Sequence, residues 1–600
     1  MTIVLTPYWS DGVQKLKMAP QRAYHTLVDL IVHSAHNVPC PSAPPKPKRG
    51  LIPPELNDEV HAARCLAQLR SKDKNIEKYI YLSMLKEQDP PMFYRLCLAY
   101  MSEFTPIIYT PTVGDACIQF SHIYRRPEGL VRTRFFSLLP LNKGADDDAQ
   151  FISIKDKGKI RSIIQNWPKI KDARISVVTD GSRILGLGDL GVNGMPISIG
   201  KLSLYIAGAG IRPESTIPIC LDLGTNNQKF LDDPLYLGQR TKRIVGPEMT
   251  AFMDEFMHEM SVAFPKLLVQ FEDFSTDNAF LYLERYRNKY PVFNDDIQGT
   301  GAVVLSGLIN AARLSSQASG RPLTEHRILF FGAGSAGVGV AMQLMSFFTL
   351  NGLTKDQARE RIWLMDSQGM IFDARGPMAE HKKFFSRKDY TGPPITNILD
   401  VIAYVKPTAL LGLSTISVRN SLPRLQTLLT HPQNAFSPDV IQAMAALNPR
   451  PIIFPLSNPV RLSECSFQDA VQYTDGRVLF ASGSPFPSLD FDGTTLYPGQ
   501  GNNMYIFPGL GLGAILARAT SVTDSMVEAS SLGLAGSLTP EEHKLGLLYP
   551  RVERIREISA HIATEVIRAA QKAGVDRTAA LRNMGDFELL NHVNSKMWNP

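Results

Sequence analysis

Two acidic pairs in this chain have residue types that could hold a metal cation. Glu272-Asp273 follows the apolar run Leu267–Phe271, and Asp295-Asp296 follows Val292-Phe293-Asn294. Neighbours along a strand face opposite sides, so both members of a pair reach one cation only where the strand ends and the backbone turns. All-oxygen ligands suit a hard cation, Mg²⁺ or Mn²⁺; the same carboxylates would also serve as helix caps or solvated charges. A second signal runs from Val177 to Gly191, where a strand-like stretch enters a segment with four glycines and Arg183, and continues to Gly200-Lys201. An arginine fork matches a carboxylate. A lysine buried near another cation can lose its proton near neutral pH and act as a base. The plainer alternative is a glycine-rich turn flanked by two solvated cations. Tyr109, before the turn Thr110-Pro111-Thr112-Val113-Gly114, is either an acid or half-buried packing.

The loop Gly332-Ala333-Gly334-Ser335-Ala336-Gly337 follows the apolar strand 327–331 and opens a helical run. That context fits a dinucleotide pyrophosphate seated on a helix N-terminus, with Gly332, Gly334, Ser335, Ala336 and Gly337 as its cradle. Asp366, after Ile362–Met365, has the right type to bind the adenine ribose. It lies 29 residues past Gly337 against the usual interval of about 20, which makes Phe348–Glu360 an insertion. Asp366 favours NAD, whereas Ser367, Lys382 and Lys383 leave room for the 2′-phosphate of NADP. Asn458, in Pro455–Pro459, and Asn503, in Gly499–Asn503, are amides at or near strand ends that face a ligand crevice or else make turns.

These groups need scaffolds. Residues 56–104 space apolar side chains by three and four, as a helical region does. Residues 150–295 alternate strand-like runs with helical ones, among them 248–263. Strands at 327–331, 361–365, 408–413, 451–456 and 477–481, with a helix at 300–315, predict a doubly wound parallel sheet, and 540–573 reads as one long amphipathic helix. The fold class is therefore α/β: a helical N-terminal region, an α/β substrate and metal domain, and a Rossmann-type dinucleotide domain. The expected boundaries are an N-terminal arm at 1–54, a first domain at 55–295, a dinucleotide domain at 296–545 and a helical extension at 546–600. A chain of 600 residues with 44% hydrophobic and 20% charged residues can bury large cores. A net charge of +6 without a basic block argues against a nucleic-acid partner, and no apolar run is long enough for a membrane span. Six cysteines without a CxxC pair point to a reducing compartment. The first 50 residues are basic and acid-poor, interrupted by Asp11, and leave a mitochondrial matrix and a cytoplasmic location both open.

Together, a carboxylate clamp, a base, hard-metal carboxylates and a nicotinamide fold are what oxidation of a hydroxy diacid requires. Over residues 75–570 the chain resembles the malic enzyme family, on YTPTVG (109–114), VVTDGSRILGLGDLG (177–191), GKLSLY (200–205), LDLGTNN (221–227), FEDF (271–274), FNDDIQGT (293–300), FGAGSAG (331–337), PLSNP (455–459), ASGSPF (481–486) and NNMYIFPGLGLG (502–513). The resemblance implies oxidative decarboxylation of (S)-malate to pyruvate and CO₂ with reduction of NAD or NADP, and decarboxylation of oxaloacetate. It makes Tyr109 the general acid, Lys201 the general base, Arg183 the malate clamp, and Glu272, Asp273 and Asp296 the metal ligands. Asp295 neighbours the base, and Asn458 and Asn503 lie near substrate and nicotinamide. A homotetramer built from dimers is also implied. The family's usual segment before residue 50, a Lys-Gly pair and an acidic helix start, is missing, so no effector residues are carried over. A non-decarboxylating hydroxy-acid dehydrogenase and a catalytically idle nucleotide-binding scaffold are the alternatives.

Overall fold

The computed structural model describes residues 57–124, 150–167, 172–413, 435–457 and 460–600. The chain divides into two compact units, one of residues up to Ile108 with Pro600, the other Tyr109–Asn599. The described part of the first unit is helical, as the apolar spacing predicts: α1 (Asp58–Arg70), α2 (Asn75–Gln88), α3 (Pro90–Ala99) and α4 (Met101–Ile108). Asn57 caps α1, its side chain accepting from the Glu59 and Val60 amides at 2.9 and 3.1 Å. Asp89 caps α3 just before Pro90, whose missing N–H costs nothing at the first helical position.

The second unit holds two mainly parallel sheets. The first comprises β1 (Gln150–Ser153), β2 (Ile175–Thr179), β3 (Thr216–Asp222), β4 (Leu268–Phe271) and β5 (Val292–Asn294), in the spatial order β1-β3-β2-β4-β5. The chain leaves β2 for β3 on one side and later returns to β4 on the other. The carboxyl ends of β2 and β4 therefore flank a topological switch point, where open α/β sheets bind ligands. β2, β3, β4 and β5 are buried throughout, which explains their unbroken apolar runs. Helix α5 (Met195–Ala209) is buried almost all round, and α6 (Pro247–Ala263) closes the other core with Met249, Phe252, Met253 and Phe256.

Helix α7 (Thr300–Ser319) leads to the second sheet: β6 (Ile328–Phe331), β7 (Ile362–Asp366), β8 (Gly369–Met370), β9 (Ala409–Gly412), β10 (Ile452–Pro455) and β11 (Leu479–Ser482). A hairpin of β12 (Leu489–Phe491) and β13 (Thr494–Leu496) precedes the edge strand β14 (Gly499–Gln500). The order is β14-β11-β10-β9-β6-β7-β8, with β8 antiparallel to β7. Its switch point lies at the carboxyl ends of β6 and β9. The long interval before Asp366 arises because α8 (Ser335–Leu350) is followed by a short capped helix, Lys355–Arg359. The segment 540–573 is not one helix. It forms Pro540–Lys544, then turns through Gly546 at φ +69° and Pro550 before α9 (Ile555–Lys572). A proline bars the helical conformation of the residue before it. Ile555, Ile558, Ile562 and Val566 are buried on one face of α9 as the pattern predicts.

Candidate active site

The carboxyl ends of β2, β4 and β5 meet in one cavity of about 200 Å³, lined among others by Tyr109, Arg183, Lys201, Glu272, Asp273, Asp296 and Asn503. Glu272 and Asp273 follow the last residue of β4, and Asp273 turns the chain with φ +56°. This is the turn that two neighbouring carboxylates need to share a site. Asp295 and Asp296 follow β5 in a single π-type turn, Asp295–Gly299, before α7. The turn separates them. Asp296 joins Glu272 and Asp273, the three offering oxygens within 4.8 Å of one another. Asp295 folds back instead, and a Cβ on Gly299 would lie 2.0 Å from its Oδ1, so only glycine fits there.

Asp295 pairs with Lys201, whose Nζ also lies 3.0 Å from Glu272 Oε1. The Lys201 ammonium sits 5.3 Å from the Tyr109 ring centre and 4.6 Å from that of Phe507. Burial favours a neutral amine here, but the Asp295 and Glu272 carboxylates and Tyr109 outweigh it, and Lys201 holds its proton well above the ordinary lysine range. The charged groups that pair with Lys201 are carboxylates rather than the second cation its sequence surroundings suggest. Burial likewise raises Tyr109 well above an ordinary phenol despite the Lys201 charge, so it stands as a protonated acid. Glu272 and Asp273 are pushed well above the carboxylate range, by burial first and then by the other acids, against which Lys201 pulls. The Asp273 Oδ2 is buried without a hydrogen-bond partner. An all-oxygen set, repelling itself and with an orphaned atom, fits a hard divalent cation.

Arg183 is carried on the loop after β2. Its Nη1 donates to Thr276 Oγ1 at 2.5 Å and its backbone N–H to the Asp273 carbonyl at 3.1 Å. The Ser275 amide donates to Ser182 Oγ at 2.7 Å, and Ser182 donates in turn to Asp180. The clamp loop and the metal-ligand loop are thereby joined. Arg243, absent from the sequence reading, holds the loop from outside: its guanidinium grips Asp189 at 2.6 and 3.0 Å and donates to the Asp180 carbonyl at 2.9 Å. Nothing in its basic surroundings, Gln239–Arg243, marks it out beforehand. Asn503 donates to Asp295 Oδ2 at 2.9 Å and Thr300 Oγ1 at 3.0 Å, so it orients the partner of Lys201 while lining the cavity.

At the second switch point the glycine loop connects β6 to α8. Gly332 has φ +118°, and a Cβ on Gly337 would lie 2.1 Å from the Gly332 carbonyl oxygen, so the loop closes on itself only because residue 337 has no side chain. Around Gly334 the space is open and no side chain caps the start of α8, which suits a pyrophosphate at a helix N-terminus. Ala336, Leu413, Leu456 and Ser457 reach the same cavity as the carboxylates. Asp366 ends β7 and is held bidentately by Arg375 at 2.7 and 2.9 Å and by Lys382 at 2.8 Å. Burial alone would raise it, yet these two cations bring it down to about 2. Lys383 pairs with Glu380 instead, and Ser367 is exposed. Asn458 and the side chain of Ser335 lie outside the described residues.

Residues 86–135 and 142–287 match the family description "malic enzyme, N-terminal domain", and residues 297–571 match "malic enzyme, NAD binding domain". The chain belongs to the malic enzyme family. It is 44% identical over 529 residues to the NADP-dependent malic enzyme of Dictyostelium discoideum, spanning 88% of this chain and 90% of that relative. To the NADP-dependent malic enzyme of Rattus norvegicus it is 40% identical over 526 residues, 87% and 84% of the two chains. The solved malic enzyme of Entamoeba histolytica shares the fold at 21% identity, with a TM-score of 0.52 over 91% of this chain and 90% of that one. Residues from the carboxyl ends of both sheets face that one cavity.

Proposed function

We propose that the protein is a decarboxylating malate dehydrogenase that converts (S)-malate to pyruvate and CO₂ with a nicotinamide dinucleotide and a divalent cation. One observation carries this reading: Tyr109, Arg183, Lys201 and the three-carboxylate cluster line a single cavity that the dinucleotide-side residues Ala336, Leu413 and Ser457 also line. Arg183 suits a malate carboxylate through paired hydrogen bonds. Glu272, Asp273 and Asp296 would hold Mg²⁺ or Mn²⁺, which supplies Lewis-acid polarisation at the C2 oxygen. In its neutral form the Lys201 amine takes the C2 hydroxyl proton, and a nicotinamide dinucleotide held at the glycine loop would supply the hydride acceptor. Asp295 and Asn503 keep that amine aimed. Tyr109, held protonated by burial, delivers a proton to C3 of the enol left after CO₂ departs. Each proton transfer is worth about 10²–10⁴ in rate.

For the dinucleotide, the reading that fits Asp366 is NADP. A bare carboxylate at this position repels a 2′-phosphate, but Asp366 shares Arg375 and Lys382, and the group as a whole carries one positive charge. The relatives in Dictyostelium and Rattus are named for NADP. Decarboxylation of added oxaloacetate and a tetramer of paired dimers belong to the same proposal. The deciding experiment measures kcat/KM for malate with NADP and with NAD, in Mg²⁺ and in Mn²⁺, with pyruvate and oxaloacetate quantified. Stoichiometric pyruvate supports the reading; accumulation of oxaloacetate without pyruvate replaces it with a non-decarboxylating dehydrogenase.

A further inference from the structure

Gln270 is the one polar residue in β4, Leu268–Phe271, and it is wholly buried. An amide without partners in such a place is costly. Its two ends are both used. Gln270 Nε2 donates to Glu272 Oε2 at 2.7 Å, and its Oε1 accepts from the Tyr205 hydroxyl at 2.5 Å. Gln270 and Glu272 are two residues apart and so project from the same side of the chain as β4 ends. Tyr205, also fully buried, lies one turn after Lys201 on α5 and packs its ring 4.9 Å from Phe507. The polarity of this chain is fixed. A phenol donates to the amide oxygen, so the amide nitrogen is left to donate, and the carboxylate must accept. Glu272 Oε2 is thereby engaged, while Oε1 faces Lys201 at 3.0 Å. Glu272 is thus aimed from both sides, by the base and by a group that touches neither substrate nor cofactor.

We infer that Gln270 and Tyr205 are positioning residues for Glu272, setting how tightly the three-carboxylate site takes its divalent cation. The inference rests on the metal-site reading above. Partners behind metal ligands typically tune affinity by about 10–100-fold. A role confined to packing would lower thermal stability without moving the metal affinity.

The test is direct titration of the full-length chain, stripped by chelator, with Mn²⁺ read by electron paramagnetic resonance of the free ion, beside Asp296→Ala as the reference. Gln270→Leu should weaken Mn²⁺ binding by about 10–100-fold and Tyr205→Phe by about 3–10-fold, the worth of one hydrogen bond. The double variant should be no weaker than Gln270→Leu, because the tyrosine acts through the glutamine. Dinucleotide binding should not change, and kcat at saturating Mn²⁺ should largely recover. If Gln270→Leu does not fold, Gln270→Glu keeps the shape but sets a carboxyl against Glu272, and it should weaken Mn²⁺ binding too. Loss of Mn²⁺ in Asp296→Ala with unchanged affinity in the Gln270 variants overturns this inference alone. Unchanged affinity in Asp296→Ala overturns the metal-site reading and this inference with it.

Discussion

The ends of the two sheets hold opposite charge balances. Around Lys201, four carboxylates (Glu272, Asp273, Asp295 and Asp296) face two cations, Lys201 and Arg183, and burial with mutual repulsion drives Glu272 and Asp273 above the usual range. At the end of β7 one carboxylate faces two cations, and Asp366 falls to about 2. The folds that build these places are alike: parallel strands, a crossing of the chain, and side chains at carboxyl ends. The difference is which charge the protein leaves unbalanced. The first carries surplus negative charge and the second surplus positive charge, which suit the divalent cation and the phosphorylated ribose of the proposed reading.

The largest break in that comparison comes from Asp296→Ala. Removing one of three oxygens should lower kcat/KM for malate by about 10³-fold, since a Lewis-acid ion stabilises the transition state by several kcal/mol. Excess chelator should do the same to the native protein, and Mg²⁺ or Mn²⁺ should restore turnover. Full activity in chelator would show that the surplus negative charge is not a metal site.

Next in size is the division of labour beside that site. Tyr109→Phe should cut malate-to-pyruvate turnover by about 10²–10⁴-fold while largely sparing reduction of added oxaloacetate, because its proton goes to C3 after CO₂ has left. Lys201→Ala should impair both reactions. Initial rates of the two reactions decide it, and equal losses for Tyr109→Phe would mean the two residues share one step.

On the dinucleotide side the effects are smaller. Lys382→Ala should lower kcat/KM with NADP about tenfold, the worth of one charge-assisted hydrogen bond, and change that with NAD little. Asp366→Ser should shift the ratio toward NADP. An unchanged ratio in both would remove this cluster as the ribose reader.

Much of this architecture was legible in the sequence, for physical reasons that differ by residue. The buried strands announce themselves as apolar runs, and the Gly332–Gly337 loop as glycines between strand and helix. The acidic pairs were recognisable as strand-end residues, but not their partition. Asp295 and Asp296 are chemically identical, and only the π-type turn and the missing Cβ of Gly299 send one to Lys201 and the other to the metal cluster. Lys382 and Lys383 pose the same problem, settled by which one the chain brings to Asp366. The neighbours of Lys201 were not legible, because Glu272 and Asp295 come from the ends of β4 and β5, seventy and more residues away. Arg243 carried no local signal. Gln270 does carry one, as a polar residue inside an apolar strand.

The smallest effect tests whether the two halves also answer to pH in opposite senses. In the metal-free protein Glu272 and Asp273 have folded values above their unfolded ones, so the native state binds protons there first and acidification stabilises the substrate half. In the dinucleotide half His326 does the reverse. It is buried just before β6, its Nε2 3.0 Å from Ser316 Oγ and its Nδ1 2.9 Å from Thr408 Oγ1. Burial, with help from Arg321, depresses it from 6.5 to about 4. Its folded value lies below the unfolded one, so its contribution is fully present above pH 6.5 and is lost as the pH falls from there toward 4. The loss is on the order of 1–3 kcal/mol. Urea unfolding of the metal-free protein between pH 7 and 4.5 should therefore show a smaller decline in His326→Gln than in the native chain. Identical slopes would mean that the histidine is solvated enough to titrate normally, and that the opposition between the two halves is confined to their ligand-binding ends.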